Sequence, residues 1–428
     1  MMNYVNATQE SLEKERALLQ KEYDGIVALG LNLDLSRGKP CAEQLELSMP
    51  MLSHSRLSEK DCITESGFDC RNYGLGLGTP EMRRFWSELT GIPAEQIIVG
   101  GNSSLNLMYD SVARAMLYGV YGSLRPWSKE ERVTFLCPSP GYDRHFAICE
   151  SLGIHMIAIP MTAEGPDMDI VERYAREDAS VKGIWCVPKY SNPTGITYSD
   201  EVVRRLVRME TAAPDFRIYW DNAYMIHDLG EESDKLLDIF PEAYAVGNED
   251  RVMFFTSSSK ITFPGSGVAM MAMSQHNLDQ IIPIWNTQTI GHDKLNQLRH
   301  LEFFTHTSDV YDLMKKHASI LRQRFSVVLD TLKADLGDTG IATWNEPKGG
   351  YFVSLDVLDG CAQRVYALCK DAGVALTKAG ATFPYGKDPH DKNLRLAPSY
   401  PSVEDLTKAM KVLTVAVRLA ALEKLLEA

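Results

Sequence analysis

Between roughly residues 96 and 257 the apolar positions fall into short runs, separated by stretches with helical spacing. "QIIVGG" (96–101) leads into "NSSLNLMYDSVARAMLYGV", and "RVTFLCPSPGY" (132–142) leads into "DRHFAICESLG". "HMIAIPM" (155–161) and "KGIWCVPKYSNPTG" (182–195) follow, then the amphipathic "SDEVVRRLVRME", then "FRIYWDNAY" (216–224) and "RVMFF" (251–255). Runs rich in β-branched and aromatic residues that stop at Gly, Pro, Asn or Ser predict buried parallel strands. Their alternation with helices predicts an α/β sheet with its strands in parallel.

Beyond about residue 290 the texture changes. A long helical pattern spans 293–335, then come a strand at "GGYFVSLDV" (349–357), a helix at "CAQRVYALCKDAG", the run "LRLAPSY" and a last helix from Val403. This predicts an α+β lobe, and the amphipathic N-terminal stretch is expected to pack with it. At 428 residues the chain exceeds what one core serves, so two lobes are expected. The expected division is a large domain over 50–295, with a mostly parallel central sheet flanked by helices, and a small domain from 1–49 and 296–428.

Composition excludes more than it assigns. A formal charge of −13 speaks against nucleic-acid binding, which needs a basic surface. No apolar run is long enough to span a bilayer, and the N-terminal stretch lacks the pattern of a signal peptide, so no membrane partner and a cytoplasmic location are expected. The eight cysteines contain no CxxC pair, which fits neither a zinc site nor a disulfide framework, and no metal is expected.

The polar residues at the predicted strand ends carry the candidate chemistry, because ligands of open α/β sheets bind at the carboxyl ends of the strands. "GGNSSLN" places Ser103 and Ser104 at a helix start, where free amides suit a phosphate, or where a serine simply caps the helix. "SNPTG" (191–195) is a tight turn that aims Asn192. "YWDNAY" brings Asp221 and Tyr224 to the next strand end. Asp221 there is either a helix cap or a buried acid that needs a cationic partner, for which a protonated heteroaromatic nitrogen would serve. "TSSSKITFPGSG" (256–267) ends the last strand with Lys260 among hydroxyls. A partly desolvated lysine loses its proton near neutral pH and attacks carbonyls; a solvated surface charge is the ordinary alternative. The ordered set fits one ligand, pyridoxal 5'-phosphate.

These motifs resemble those of the fold-type I, class I aminotransferases. The resemblance covers roughly residues 30 to 400 through "YGLGLGTPEMRRFWSEL", "GGNSSLN", "PSPGY", "SNPTG", "DNAY", "SSSK" and "LRLAPSY", with Asp221 and Lys260 separated by 39 residues. "TIGHDKLNQLRH" and "KAGATFPYGKDP" are similar to the aspartate aminotransferase subgroup related to the aminotransferase-like domains of MocR regulators. The resemblance implies the PLP-transferase fold and a ping-pong amino transfer, with L-aspartate as first-choice donor and 2-oxoglutarate as acceptor. By the same resemblance Lys260 holds the cofactor as an aldimine and then shuttles the substrate proton. Asp221 pairs with the pyridinium nitrogen, Tyr224 and Asn192 hold the ring oxygen, and Tyr142 stacks on the ring. Ser103, Ser104, Ser257 and Ser259 hold the phosphate, and Tyr73 reaches the phosphate of a neighbouring subunit, which makes a homodimer part of the expectation. Gly38, Asn192 and Arg395 meet the substrate, Arg395 gripping its α-carboxylate.

One position departs from the pattern. Gly267 stands where most relatives carry an arginine that clamps the cofactor phosphate. Either hydroxyls and amides suffice, or a cation comes from elsewhere, with Lys294 in "GHDKLNQ" as the candidate and an ordinary helix-surface lysine as its alternative. A distal substrate carboxylate would need a further cation, for which Arg37, Lys39, Lys189 and Arg299 are open choices. The alternatives to aspartate transfer are another pyridoxal-phosphate reaction, such as a lyase or decarboxylase, or a broader aromatic aminotransferase. A sensor module without turnover is disfavoured, since only about 30 residues precede the core and Lys260, Asp221 and Arg395 are all kept.

Overall fold

Among the described residues, eight strands pair into one sheet between Ile97 and Ala272. In chain order they are β1 (Ile97–Val99), β2 (Thr134–Ser139), β3 (His155–Thr162), β4 (Gly165–Pro166), β5 (Val181–Cys186), β6 (Arg217–Asp221), β7 (Val252–Ser257) and β8 (Ala269–Ala272). The spatial order is β1-β8-β7-β6-β5-β2-β3-β4. The run from β7 through β6, β5 and β2 to β3 is parallel throughout, as the alternating pattern predicts. Three antiparallel pairs finish the edges: β1 with β8, β8 with β7, and β3 with β4. The coordinates are a computed structural model describing residues 2–55 and 57–427; Met1, Arg56 and Ala428, which fall within the expected lobes, lie outside the described residues.

Every residue of β2, β5, β6 and β7 is buried, which requires cover on both faces. On one face Leu136, Ile184, Ile218, Trp220 and Phe254 pack with Trp86, Val171, Val203 and Phe240. On the other, Phe135, Trp185, Tyr219 and Phe255 pack with Leu107, Phe146 and Trp285. Side chains alternate along a strand, so Trp220 faces the first cluster while Tyr219 faces the second.

The chain ends build a second body. Ala342–Trp344, Val353–Val357 and Asn393–Leu396 form an antiparallel sheet, and Leu33–Asp34 pairs in parallel with Val374–Ala375. Helices Gln9–Val27, Thr307–Leu336 and Ala362–Asp371 pack with Val403–Glu427, so the N-terminal helix lies against the C-terminal one, as its amphipathic pattern predicts. The core of this body also takes in Tyr190, Tyr224 and Tyr351, which places the loop after β6 against it.

Several elements differ from the sequence pattern. The helical stretch over 293–335 is two helices, Lys294–Phe303 and Thr307–Leu336. The His306 amide donates to Asp309 Oδ2 at 2.9 Å and starts the second helix, while apolar spacing continues unbroken through Phe303 and Phe304. β8 is a strand that the apolar pattern hides, because "GVAMMA" directly follows a Pro- and Gly-rich turn. All eight cysteines are free and buried. Among the described residues no helix is long and apolar enough to cross a membrane.

Candidate active site

The carboxyl ends of β6 and β7 open onto a cavity of about 120 Å³. Ser103, Ser104, Tyr142, Asn192, Asp221, Tyr224, Ser257, Ser259 and Lys260 all line it, although they come from five separate stretches of chain.

Asp221 is 3% exposed. Its Oδ2 meets His145 Nε2 at 3.0 Å, and His145 is itself held flat against Trp185, with ring centroids 4.3 Å apart. Asp221 therefore caps no helix. Its other oxygen, Oδ1, is buried without any partner. A buried carboxylate oxygen left so is costly, and it calls for a donor from whatever fills the cavity.

Lys260 ends a short 3₁₀ turn, Ser258–Lys260, entered directly from β7. Its Nζ lies 4.9 Å from the centre of the Tyr224 ring and 6.0 Å from that of Tyr351. The Tyr351 hydroxyl donates to the Lys260 carbonyl at 3.4 Å and steadies the turn. Burial lowers the ammonium pKa; Asp221 opposes the shift and Arg395 adds to it. The lysine is not a solvated surface charge. Burial also raises the Tyr142 and Tyr224 hydroxyls, so both stay protonated as donors.

At the other end of the cavity, helix Ser104–Tyr118 presents its N-terminus. Ser103 stands at the cap position, yet its side chain makes no capping bond, which leaves hydroxyl and amides free for an anion. Ser257 Oγ donates to Ser259 Oγ at 3.1 Å, and Ser259 Oγ to the Asn102 carbonyl at 2.8 Å. Gly267 is tucked behind these serines. A Cβ there would lie 3.1 Å from both the Asn102 carbonyl oxygen and the Ser259 amide nitrogen. Two backbone segments approach this position closely, so a side chain there would require them to give by a few tenths of an ångström.

Arg395, on the strand Asn393–Leu396, donates from Nη1 to Asn192 Oδ1 at 3.3 Å and to Asp143 Oδ1 at 2.7 Å. Its guanidinium lies 5.0 Å from the centre of the Phe352 ring. Gly38 supports that ring: a Cβ would fall 2.3 Å from Phe352 Cζ. Gly38 thus acts on Arg395 through Phe352, and it does not line the cavity.

Two sequence candidates are not gathered within one chain. Lys294 is no helix-surface lysine. It is 6% exposed, with its Nζ turned towards Gly291, and does not line the cavity, because the first turn of its helix faces the loop at Gly74 and Gly291. Tyr73 is 80% exposed and points into solvent. Among the four cations considered for a distal carboxylate, Lys189 is already paired with Asp228 at 3.0 Å, and the Lys39 ammonium sits 3.6 Å over the Tyr400 ring. Sequence reading missed His145, Asp143, Tyr351 and Phe352. The spacing Tyr142-x-x-His145 on the start of a helix was the available signal for the first of these.

A family model described as "Aspartate amino-transferase" matches residues 7–428. The aspartate aminotransferase of Corynebacterium glutamicum is 45% identical over 405 residues, covering 95% of this chain and 93% of that protein. The crystal structure of an aspartate transaminase from Corynebacterium glutamicum superposes with a TM-score of 0.96 at 43% identity, covering 99% of each chain. LysN, an α-aminoadipate aminotransferase of Thermus thermophilus solved with N-(5'-phosphopyridoxyl)-L-leucine, shares the fold, with a TM-score of 0.74, 21% identity and coverage of 92% and 93%.

Proposed function

The chain belongs to the aspartate aminotransferase family of pyridoxal-phosphate enzymes, and from that premise we propose that it carries an amino group from L-aspartate to 2-oxoglutarate with Lys260 working on the reacting atoms. The observation that carries the reading is the unpartnered Asp221 Oδ1 in one cavity with a partly desolvated lysine. When bound, the cofactor supplies an aldehyde for the amino group and a ring that accepts electrons released at the substrate Cα.

The residues divide the work by position. Lys260 Nζ would hold the cofactor covalently and, once free of it, would take the proton from the substrate Cα and return it. Asp221 Oδ1 would keep a proton on the ring nitrogen, while His145 holds the carboxylate from its far side. Tyr224 and the Asn192 amide would donate to the ring oxygen, and Tyr142 would cover the ring. Ser103, Ser104, Ser257 and Ser259, with the helix N-terminus, hold the phosphate where the usual arginine is absent. Arg395 binds the α-carboxylate, exchanging its bond to Asp143 for the substrate.

Tyr73, bare in one chain, reaches the phosphate of a second copy, so a homodimer belongs to the reading. So do a cytoplasmic location and the division into a large domain over 50–295 and a small one from 1–49 and 296–428. Arg37 is the cation for the distal carboxylate: it is exposed and adjoins Gly38, against the Phe352 ring that lies by Arg395.

A panel of amino donors with 2-oxoglutarate tests this. L-Aspartate should give the highest kcat/KM. Arg37→Gln should lower that value about tenfold for aspartate, chiefly through KM, and leave leucine or phenylalanine unchanged. A panel led by aromatic donors would reject the aspartate assignment. An unaltered aspartate KM in the variant would reject Arg37.

A further inference from the structure

Behind the active-site strand lies a second cavity, of about 280 Å³, whose apolar wall is made by Ile92, Trp220, Leu237, Phe240 and Phe254. Trp220 precedes Asp221 on β6 and faces the opposite side of the sheet, so this cavity and the active site share a strand while opening on different faces. Its size suits a molecule built around one ring.

Two side-chain carbonyl oxygens of the lining lack a donor. Asn222 is 8% exposed, and its Oδ1 is buried with no hydrogen-bond partner. Gln96 spends its amide N–H on the Tyr244 hydroxyl, while its Oε1 is likewise buried and unpartnered. Asp238 brings the one carboxyl among the described residues of the lining; it is exposed, stands at the cap position of helix Ile239–Ala245 and makes no capping bond. Among the described residues no lysine, arginine or histidine lines the cavity. Two buried acceptors and a carboxylate without a cation, set in an aromatic wall, select a ligand that donates hydrogen bonds and carries positive charge.

We propose that this cavity is a second binding site, for a small organic cation made of one aromatic ring with a short alkylammonium arm. The ring lies against Trp220, Phe240 and Phe254, and the ammonium N–H is directed to Asn222 Oδ1 and Asp238. Occupancy is independent of the active site, because the two cavities lie on opposite faces of the sheet.

The test uses the cofactor-loaded enzyme and N,N-dimethylphenethylamine, a tertiary amine that cannot condense with an aldehyde and so cannot mimic substrate at Lys260. Titration calorimetry should show saturable binding of one molecule per chain, unchanged by saturating succinate. Tryptophan fluorescence should change along the same curve, and the change should be lost in Trp220→Phe. Phenylpropionate, of similar shape but negative, should not bind. Asn222→Leu and Asp238→Asn should each weaken binding about tenfold, the loss expected of a hydrogen bond to a charged group. Aspartate turnover by Asp238→Asn should match wild type, which shows that the variant is folded. The proposal is overturned by absence of saturable binding, by displacement with succinate, or by unchanged affinity in both variants.

Discussion

Lys260→Ala is expected to lose amino transfer by at least about 10³-fold, the scale of losing a positioned proton carrier together with the covalent anchor. Among the described residues no other amine lines the cavity, so nothing nearby can take over either task. The Lys260 amine stands by Tyr224, in a site where burial eases loss of its proton. Alanine keeps the backbone of the turn and its bond to Tyr351, so the fold should survive. Two readouts distinguish loss of chemistry from loss of structure. Borohydride should fix the cofactor to the wild-type chain, adding its mass at Lys260, and leave the variant unlabelled. The thermal unfolding midpoint should move little.

Asp221→Ala should cost about 10²–10³-fold in kcat, as expected when a preorganised charge is removed from a dry site. The variant gives up the oxygen that faces the cavity and also strands His145, whose partner lies at 3.0 Å. Asp221→Asn separates these effects. The amide fills the same space and still meets His145, but it cannot hold a proton on the ring nitrogen. It should lose nearly as much activity as alanine while keeping the stability of wild type. His145→Gln, which leaves the carboxylate in place, should fall well short of either. Steady-state rates with aspartate check the order, and an Asp221→Asn variant with near-wild-type kcat would remove Asp221 from the chemistry.

Much of this site was legible because its residues sit where the pattern of apolar runs stops. Buried parallel strands leave unbroken hydrophobic stretches, so their ends are visible as the places where Asn, Asp, Ser and Lys begin. Asp221 and Lys260 were found that way. What escaped is what depends on distant neighbours. His145 reads as one polar residue on an ordinary amphipathic helix, and only the sheet brings it to Asp221, 76 positions away. Asp143 meets Arg395 across 252 positions, and no local pattern records it. Gly267 read as the loss of an arginine; the structure shows it as a close approach of backbone to Ser259 and Asn102. Lys294 reads as a candidate cation for the cofactor phosphate, with a surface lysine as its alternative; within one chain it is buried beside Gly291. The break between the helices at Lys294 and Thr307 stayed hidden because Phe303 and Phe304 carry the apolar spacing across it.

The central claim is that the Lys260 cavity moves an amino group and keeps it until an acceptor arrives. Mixing the cofactor-loaded enzyme with L-aspartate alone, and quenching over time, tests it most directly. The account predicts a single burst of one oxaloacetate per chain that then stops, followed, once unreacted aspartate is removed, by one glutamate per chain when 2-oxoglutarate is added. Continuous release of ammonia or carbon dioxide without any acceptor would contradict it.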